Sequence, residues 1–167
     1  MKKSPFLRQA LLISFFLFGL QACAARPDAR PENWASVTAL NQSASQFIQS
    51  LFQQDIEAVI KHSELPFYFN HQAILSTEAE WRDTLRQLRL ATQPTEVRIL
   101  ALEPYVPARL EREKTELWLR LLKNQFDTQA YLMARLQVLP GNGRPAFQEE
   151  VLLLLDPVST RVVGFAY

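Results

Sequence analysis

The chain has 167 residues, 18 Lys and Arg against 17 Asp and Glu, a formal net charge of +1 at pH 7, and 48% hydrophobic residues. Because the arginines are interleaved with glutamates and build no basic face, the composition excludes a nucleic-acid partner. A single cysteine excludes any disulfide within the chain.

Met1 to Arg8 carries Lys2, Lys3 and Arg8 without an acid, and Ala10 to Leu20 is apolar. That run has the length of a secretory signal and is too short to span a bilayer comfortably. It ends in Leu20-Gln21-Ala22-Cys23, which resembles the lipobox of bacterial lipoproteins, with Gln21 its least typical member. The resemblance implies lipid on the Cys23 sulfur and cleavage before it, so that residues 1–22 are a signal peptide. It further implies a cell-envelope protein anchored in a lipid membrane. Ala24 stands where the family's inner-membrane retention signal has Asp, which in a Gram-negative host points to the outer membrane, facing the periplasm. The alternatives are a secreted protein cut near Ala22 or Ala25, and a buried apolar helix.

Loss of the three basic signal residues from 18 leaves 15 against 17 acids, close to neutral. Residues 23–34, with Arg26, Pro27, Asp28, Arg30 and Pro31, have the chemistry of a tether. Residues 35–167 form a single domain, long enough for a proper core.

From Ala35, Val37, Leu40, Ala44, Phe47, Ile48, Leu51 and Phe52 recur at three- and four-residue intervals, predicting one helix that ends near Gln54. Asp55 caps a short second helix, which Pro66 is expected to stop. Phe67-Tyr68-Phe69 reads as an aromatic strand. Thr77 and Glu80 form a capping box that opens a third helix with Trp81, Leu85 and Leu88 on one face.

After Gln93 the pattern alternates, giving strand candidates at residues 96–103, 116–123, 128–139, 147–155 and 161–167. A turn centred on Gln125-Phe126 would place Leu117 opposite Ala134, Leu119 opposite Leu132 and Leu121 opposite Ala130. A turn between Asn142 and Gly143 places Val151 beside Ala134 and Leu153 beside Leu132. A last hairpin through residues 156–160 adds Val163 beside Leu153 and Phe165 beside Val151. On the other side the same register aligns Glu116, Arg135 and Glu150, then Trp118, Met133 and Leu152, then Arg120, Tyr131 and Leu154.

Three N-terminal helices packed on a curved antiparallel sheet of four to six strands make an α+β fold. The order of elements, the short strand before the Thr77 helix and the closing strand after Thr160 resemble the cone-shaped nuclear transport factor 2-like superfamily. In its enzymes a carboxylate in the cone works with a Tyr or a protonated acid, as in ketosteroid isomerase. Here Glu116, Glu149 and Glu150 are the candidate acids, and Tyr68 or Tyr131 the donor. Charge pairing with Arg135 explains Glu116 and Glu150 better. His62, His71 and Glu64 lack the spacing of a metal site, so neither a metal nor a cofactor is expected.

Phe47, Phe67, Phe69 and Trp81 read as core residues or as the wall of a shallow apolar pocket. Trp118, Arg120, Tyr131, Met133, Arg135 and Leu152 read as an amphipathic outer sheet face suited to a second copy or an envelope protein, since that face often pairs subunits in the superfamily. The function expected is a lipid-anchored, non-catalytic binding or accessory module. The alternative is a small-molecule carrier or acid–base enzyme using the cone interior.

Overall fold

The computed structural model describes residues 34–70, 73–91, 95–140 and 145–167. The signal peptide, Cys23, the tether up to Asn33, His71 and the turn at Asn142-Gly143 lie outside the described residues.

Helix α1, Val37–Phe52, starts where the Ser36 hydroxyl accepts the Ala39 N–H at 3.2 Å. Asp55 accepts the Ala58 N–H at 3.0 Å and opens α2, Ile56–His62. This helix stops four residues before Pro66, because Ser63 already pairs with Val162 as the first residue of β1, Ser63–Phe69. An unexpected short strand β2, Ala73–Leu75, returns along β1. The capping box forms as expected: Thr77 Oγ1 accepts the Glu80 N–H at 3.3 Å, and Glu80 Oε2 accepts the N–H groups of Thr77 and Ser76 at 3.0 and 2.8 Å. It opens α3, Glu78–Ala91.

Strand β3, Thr95–Pro104, is followed by two helices where alternation predicted one strand: α4, Pro107–Glu113, and α5, Thr115–Lys123. The physical reason is an ambiguity of period. Leu117, Leu119 and Leu121 satisfy a strand, but Leu117 and Leu121 also satisfy a helix, and the segment is built of Leu, Glu, Arg and Lys, all good helix formers. The helix sends Leu117 and Leu121 inward and leaves Leu119 more than half exposed.

Strands β4, Ala130–Pro140, β5, Phe147–Leu155, and β6, Val162–Ala166, complete a six-stranded sheet in the order β2-β1-β6-β5-β4-β3. The sheet is mixed, because β1 runs parallel to β6. The β4–β5 register is the expected one, with Ala134 opposite Val151, Leu132 opposite Leu153 and Arg135 opposite Glu150. The β5–β6 register is not. An irregularity between Leu154 and Leu155 sets Phe165 beside Leu153 and turns Val163 to the other face. Gly164 lies against Tyr68, where a Cβ would stand 2.6 Å from the Tyr68 Cβ.

Both faces of the sheet are covered. On the first, α1, α2 and α3 bury Leu40, Phe47, Val59 and Trp81 against Leu132, Leu153 and Phe165. On the second, Leu110, Leu117 and Leu121 of α4 and α5 lie with Tyr131, Met133, Leu152 and Leu154. Five helices among the described residues therefore replace the three expected, and the outer face is closed by the chain itself.

Candidate functional site

Between α1–α3 and the sheet, the aromatic side chains among the described residues pack ring on ring. Phe67 stacks on Trp81 with centroids 4.3 Å apart, Phe47 lies 6.0 Å from Phe67, and Phe165 closes against both phenylalanines at 6.3 and 6.0 Å. Phe69 approaches Trp81 at 6.0 Å. The four residues read as a pocket wall do meet, but they pack on one another. The Trp81 indole N–H donates to Ser63 Oγ at 2.9 Å, which satisfies the polar edge of the stack.

The residues read as a partner face separate. Trp118 stands on α5, half-buried and edge-on to Tyr131 at 6.4 Å, and not beside Met133 on a neighbouring strand. Tyr131, Met133 and Leu152 are buried beneath α4 and α5. Arg135 is half-exposed and pairs with Glu103 of β3 at 2.5 Å, so the row with Glu116 does not form, because Glu116 has left the sheet for α5. Burial holds the phenols of Tyr68 and Tyr131 above their ordinary range, and the Tyr131 hydroxyl donates to the Phe126 carbonyl at 2.6 Å. Both serve the packing of the second face. Glu149 lies opposite Leu136, as expected. Among the described residues no three His, Cys, Asp or Glu side chains converge as metal ligands.

An open cleft of about 420 Å³ lies where α4 meets α5, lined by Glu113, Lys114, Thr115, Glu116, Leu117, Arg120 and Tyr167. Lys114 breaks the helical path between the two helices, with φ −136° and ψ 51°. Glu113 is the best-held side chain at its rim. Its Oε2 accepts the Tyr105 hydroxyl at 2.6 Å and the Arg109 Nε–H at 2.9 Å, while Oε1 accepts from Arg112 at 3.0 Å. The Arg109 guanidinium also covers the Tyr105 ring, 4.5 Å from its centroid. These donors, the Tyr105 hydroxyl first, lower the Glu113 carboxyl to about 2. Burial first, then the bond to Glu113, raises the Tyr105 phenol. Glu113 is thus a fixed acceptor near neutral pH and not a proton carrier. Two cations, Lys114 and Arg120, with Glu116 and Tyr167, give the cleft the chemistry to hold a polar, charge-bearing ligand.

Sequence reasoning missed Tyr105, Glu113 and Lys114. Val106-Pro107 before Ala-Arg-Leu-Glu was the available signal, since Pro107 occupies the first turn of α4.

No protein-family model matches the chain, and no curated protein matches its sequence. Among solved structures it is similar to a protein of unknown function with a cystatin-like fold from Methylobium petroleophilum PM1 (TM-score 0.51, 12% identity, covering 80% of this chain and 76% of that one). Others are an LEH-like epoxide hydrolase of M. tuberculosis (0.46, 12%, 77% and 80%) and a candidate SnoaL-like polyketide cyclase from Shewanella putrefaciens CN-32 (0.43, 11%, 76% and 77%). At these identities the likeness shows the fold alone: a nuclear transport factor 2-like, or cystatin-like, α+β domain. The expectation that the chain is not an enzyme does not stand, because nothing in the fold speaks against turnover. A missing sequence motif is no ground for excluding turnover.

Proposed function

We propose that this chain is a lipid-anchored protein of the bacterial cell envelope, whose domain presents the α4–α5 cleft to a polar ligand or an envelope protein. The observation that carries the anchoring is Cys23 itself, placed after Leu20-Gln21-Ala22 at the end of a basic, then apolar, N-terminus. Two acyl chains anchor a protein stably, so a multiply acylated Cys23 holds the domain at the surface permanently. Ala24 directs it to the outer membrane in a Gram-negative host.

The placement of the cleft suits an anchored domain. Ala35 donates its N–H to Pro157 at the β5–β6 turn, so the chain from Cys23 joins the domain at one end of the sheet. Tyr167, on the cleft, follows β6 at the other end.

The test is metabolic labelling with a fatty acid. Wild type should take label into the protein and fractionate with membranes, blocking the lipoprotein signal peptidase should accumulate an unprocessed form, and Cys23→Ser should lose both label and processing. Label that survives in Cys23→Ser would sink the reading. For the cleft, a photocrosslinker at Thr115 should capture a ligand or partner that Lys114→Glu/Arg120→Glu loses.

A further inference from the structure

Helix α5 is apolar on two sides. Leu117 and Leu121 point into the second core, while Leu119 and Leu122 are 58% and 40% exposed. Three residues apart on a helix, these two leucines are surface neighbours. Arg120 and Lys123 flank them, and neither enters an ion pair among the described residues.

The C-terminal end of α5 lies beside the start of β4: the Phe126 N–H donates to the Leu121 carbonyl at 2.9 Å, and the Phe126 carbonyl accepts the Tyr131 hydroxyl at 2.6 Å. Ala130, where β4 begins, is opposite Leu155, where β5 ends. Immediately beyond comes the turn 156–161, which presents Val158 at 60% exposure and an exposed Arg161. Pro157 of that turn accepts the Ala35 N–H at 2.7 Å. The exposed leucines of α5, Val158 and the point where the preceding chain enters the domain are therefore gathered toward one end of the sheet.

The carboxylates nearby are mostly engaged. Asp156 accepts the N–H groups of Val158 and Ser159, and Glu64 takes the Ser159 hydroxyl, which leaves Asp127 and, one turn before Leu119, the exposed Glu116. Lys123 and Arg161 carry no such commitment among the described residues.

We infer that this end of the domain docks on the bilayer that holds Cys23, with Leu119, Leu122 and Val158 entering the headgroup layer and Lys123 and Arg161 meeting lipid phosphates. The inference rests on the anchoring reading above. The eleven residues from Cys23 to Asn33 span at most roughly 36–40 Å when extended, so an anchored domain never leaves the vicinity of its lipid surface. Over so short a leash the effective concentration of surface is on the order of mM, at which even a small apolar contact is occupied. A weak docking face becomes an orienting one.

The lone cysteine supplies the test. In the lipidated protein its sulfur is blocked, so a cysteine introduced at Leu122, Val158 or, as a control at the other end, Phe147 is the only free thiol. Each variant carries an environment-sensitive fluorophore, and the full lipidated chain is reconstituted in phosphatidylcholine/phosphatidylglycerol vesicles bearing a quencher on the acyl chains. Mass spectrometry of the Cys23 peptide verifies the lipid.

Blue-shifted, quenched probes at Leu122 and Val158, with an unshifted probe at Phe147, support docking, and Leu119→Glu should return the Val158 probe to its value in water. Equal, unshifted emission from all three sites with Cys23 acylated overturns docking and leaves anchoring intact. An unmodified Cys23 overturns anchoring itself. Shifts at Leu122 that persist in detergent and scale with protein concentration assign the face to a second copy, and overturn the proposal in favour of a dimer.

Discussion

Trp81 Nε1 donates to Ser63 Oγ across 2.9 Å, between a helix and a strand, inside an otherwise apolar interior. The Ser63 hydroxyl passes its own proton to the Ile60 carbonyl at 3.1 Å, so the indole, the hydroxyl and the end of α2 form one chain of donors. Trp81→Phe removes the donor and part of the ring stack, and should cost about 2–4 kcal/mol. Ser63→Ala strands the indole N–H at about 1–3 kcal/mol. In urea denaturation the double variant should cost clearly less than the sum of the two. Simple additivity would mean that the bond contributes nothing.

Gly164 of β6 lies close against Tyr68 of β1. A Cβ there would lie 2.6 Å from the Tyr68 Cβ and 2.7 Å from the Tyr68 carbonyl oxygen, contacts that only a backbone shift relieves. Gly164→Ala should destabilise by about 1–3 kcal/mol, an overpacking cost. A variant as stable as wild type would show that the two strands separate freely.

The helical reading of residues 115–123 separates two leucines that a strand would treat alike. Leu117→Ala should cost about 2–5 kcal/mol, as at a buried site, and Leu119→Ala should stay within about 0.5 kcal/mol of wild type. Equal losses at both positions would restore the strand.

The Glu113 carboxyl lies below its ordinary 4.5, at about 2, because Tyr105, Arg112 and Arg109 bond its charged form. A depressed carboxylate stabilises the fold above its unfolded value and loses that contribution as pH falls through the folded one. The stability gap between wild type and Glu113→Gln should be full at pH 7, shrink below pH 4.5 and close near pH 2 in pH-stepped urea unfolding. A gap that is flat over this window would show that the charge on Glu113 contributes nothing.

Much of the fold was legible because local chemistry and burial agreed. Asp55 and Thr77 are caps by type, and the 3.6-residue spacing in α1 buries Leu40, Ala44, Phe47 and Ile48. The β4–β5 register followed from alternation, which sets Leu132 and Leu153 on the side of α1–α3. The β5–β6 register escaped, because a bulge changes parity without changing the pattern. The α4–α5 hairpin escaped because leucines two and four apart fit both periods, and the tie is broken only by the sheet face they cover.

By itself, then, the sequence determined the starts of α2 and α3, the first core, the central hairpin and the proposed point of attachment at Cys23, since each rests on residues near one another in the chain. Only the tertiary structure decided that Phe67 stacks on Trp81, that the second sheet face is closed by α4 and α5, and that a cleft opens between Glu113 and Tyr167. Those outcomes depend on which surfaces meet across the sheet, and packing between residues distant in sequence leaves no periodic trace along the chain.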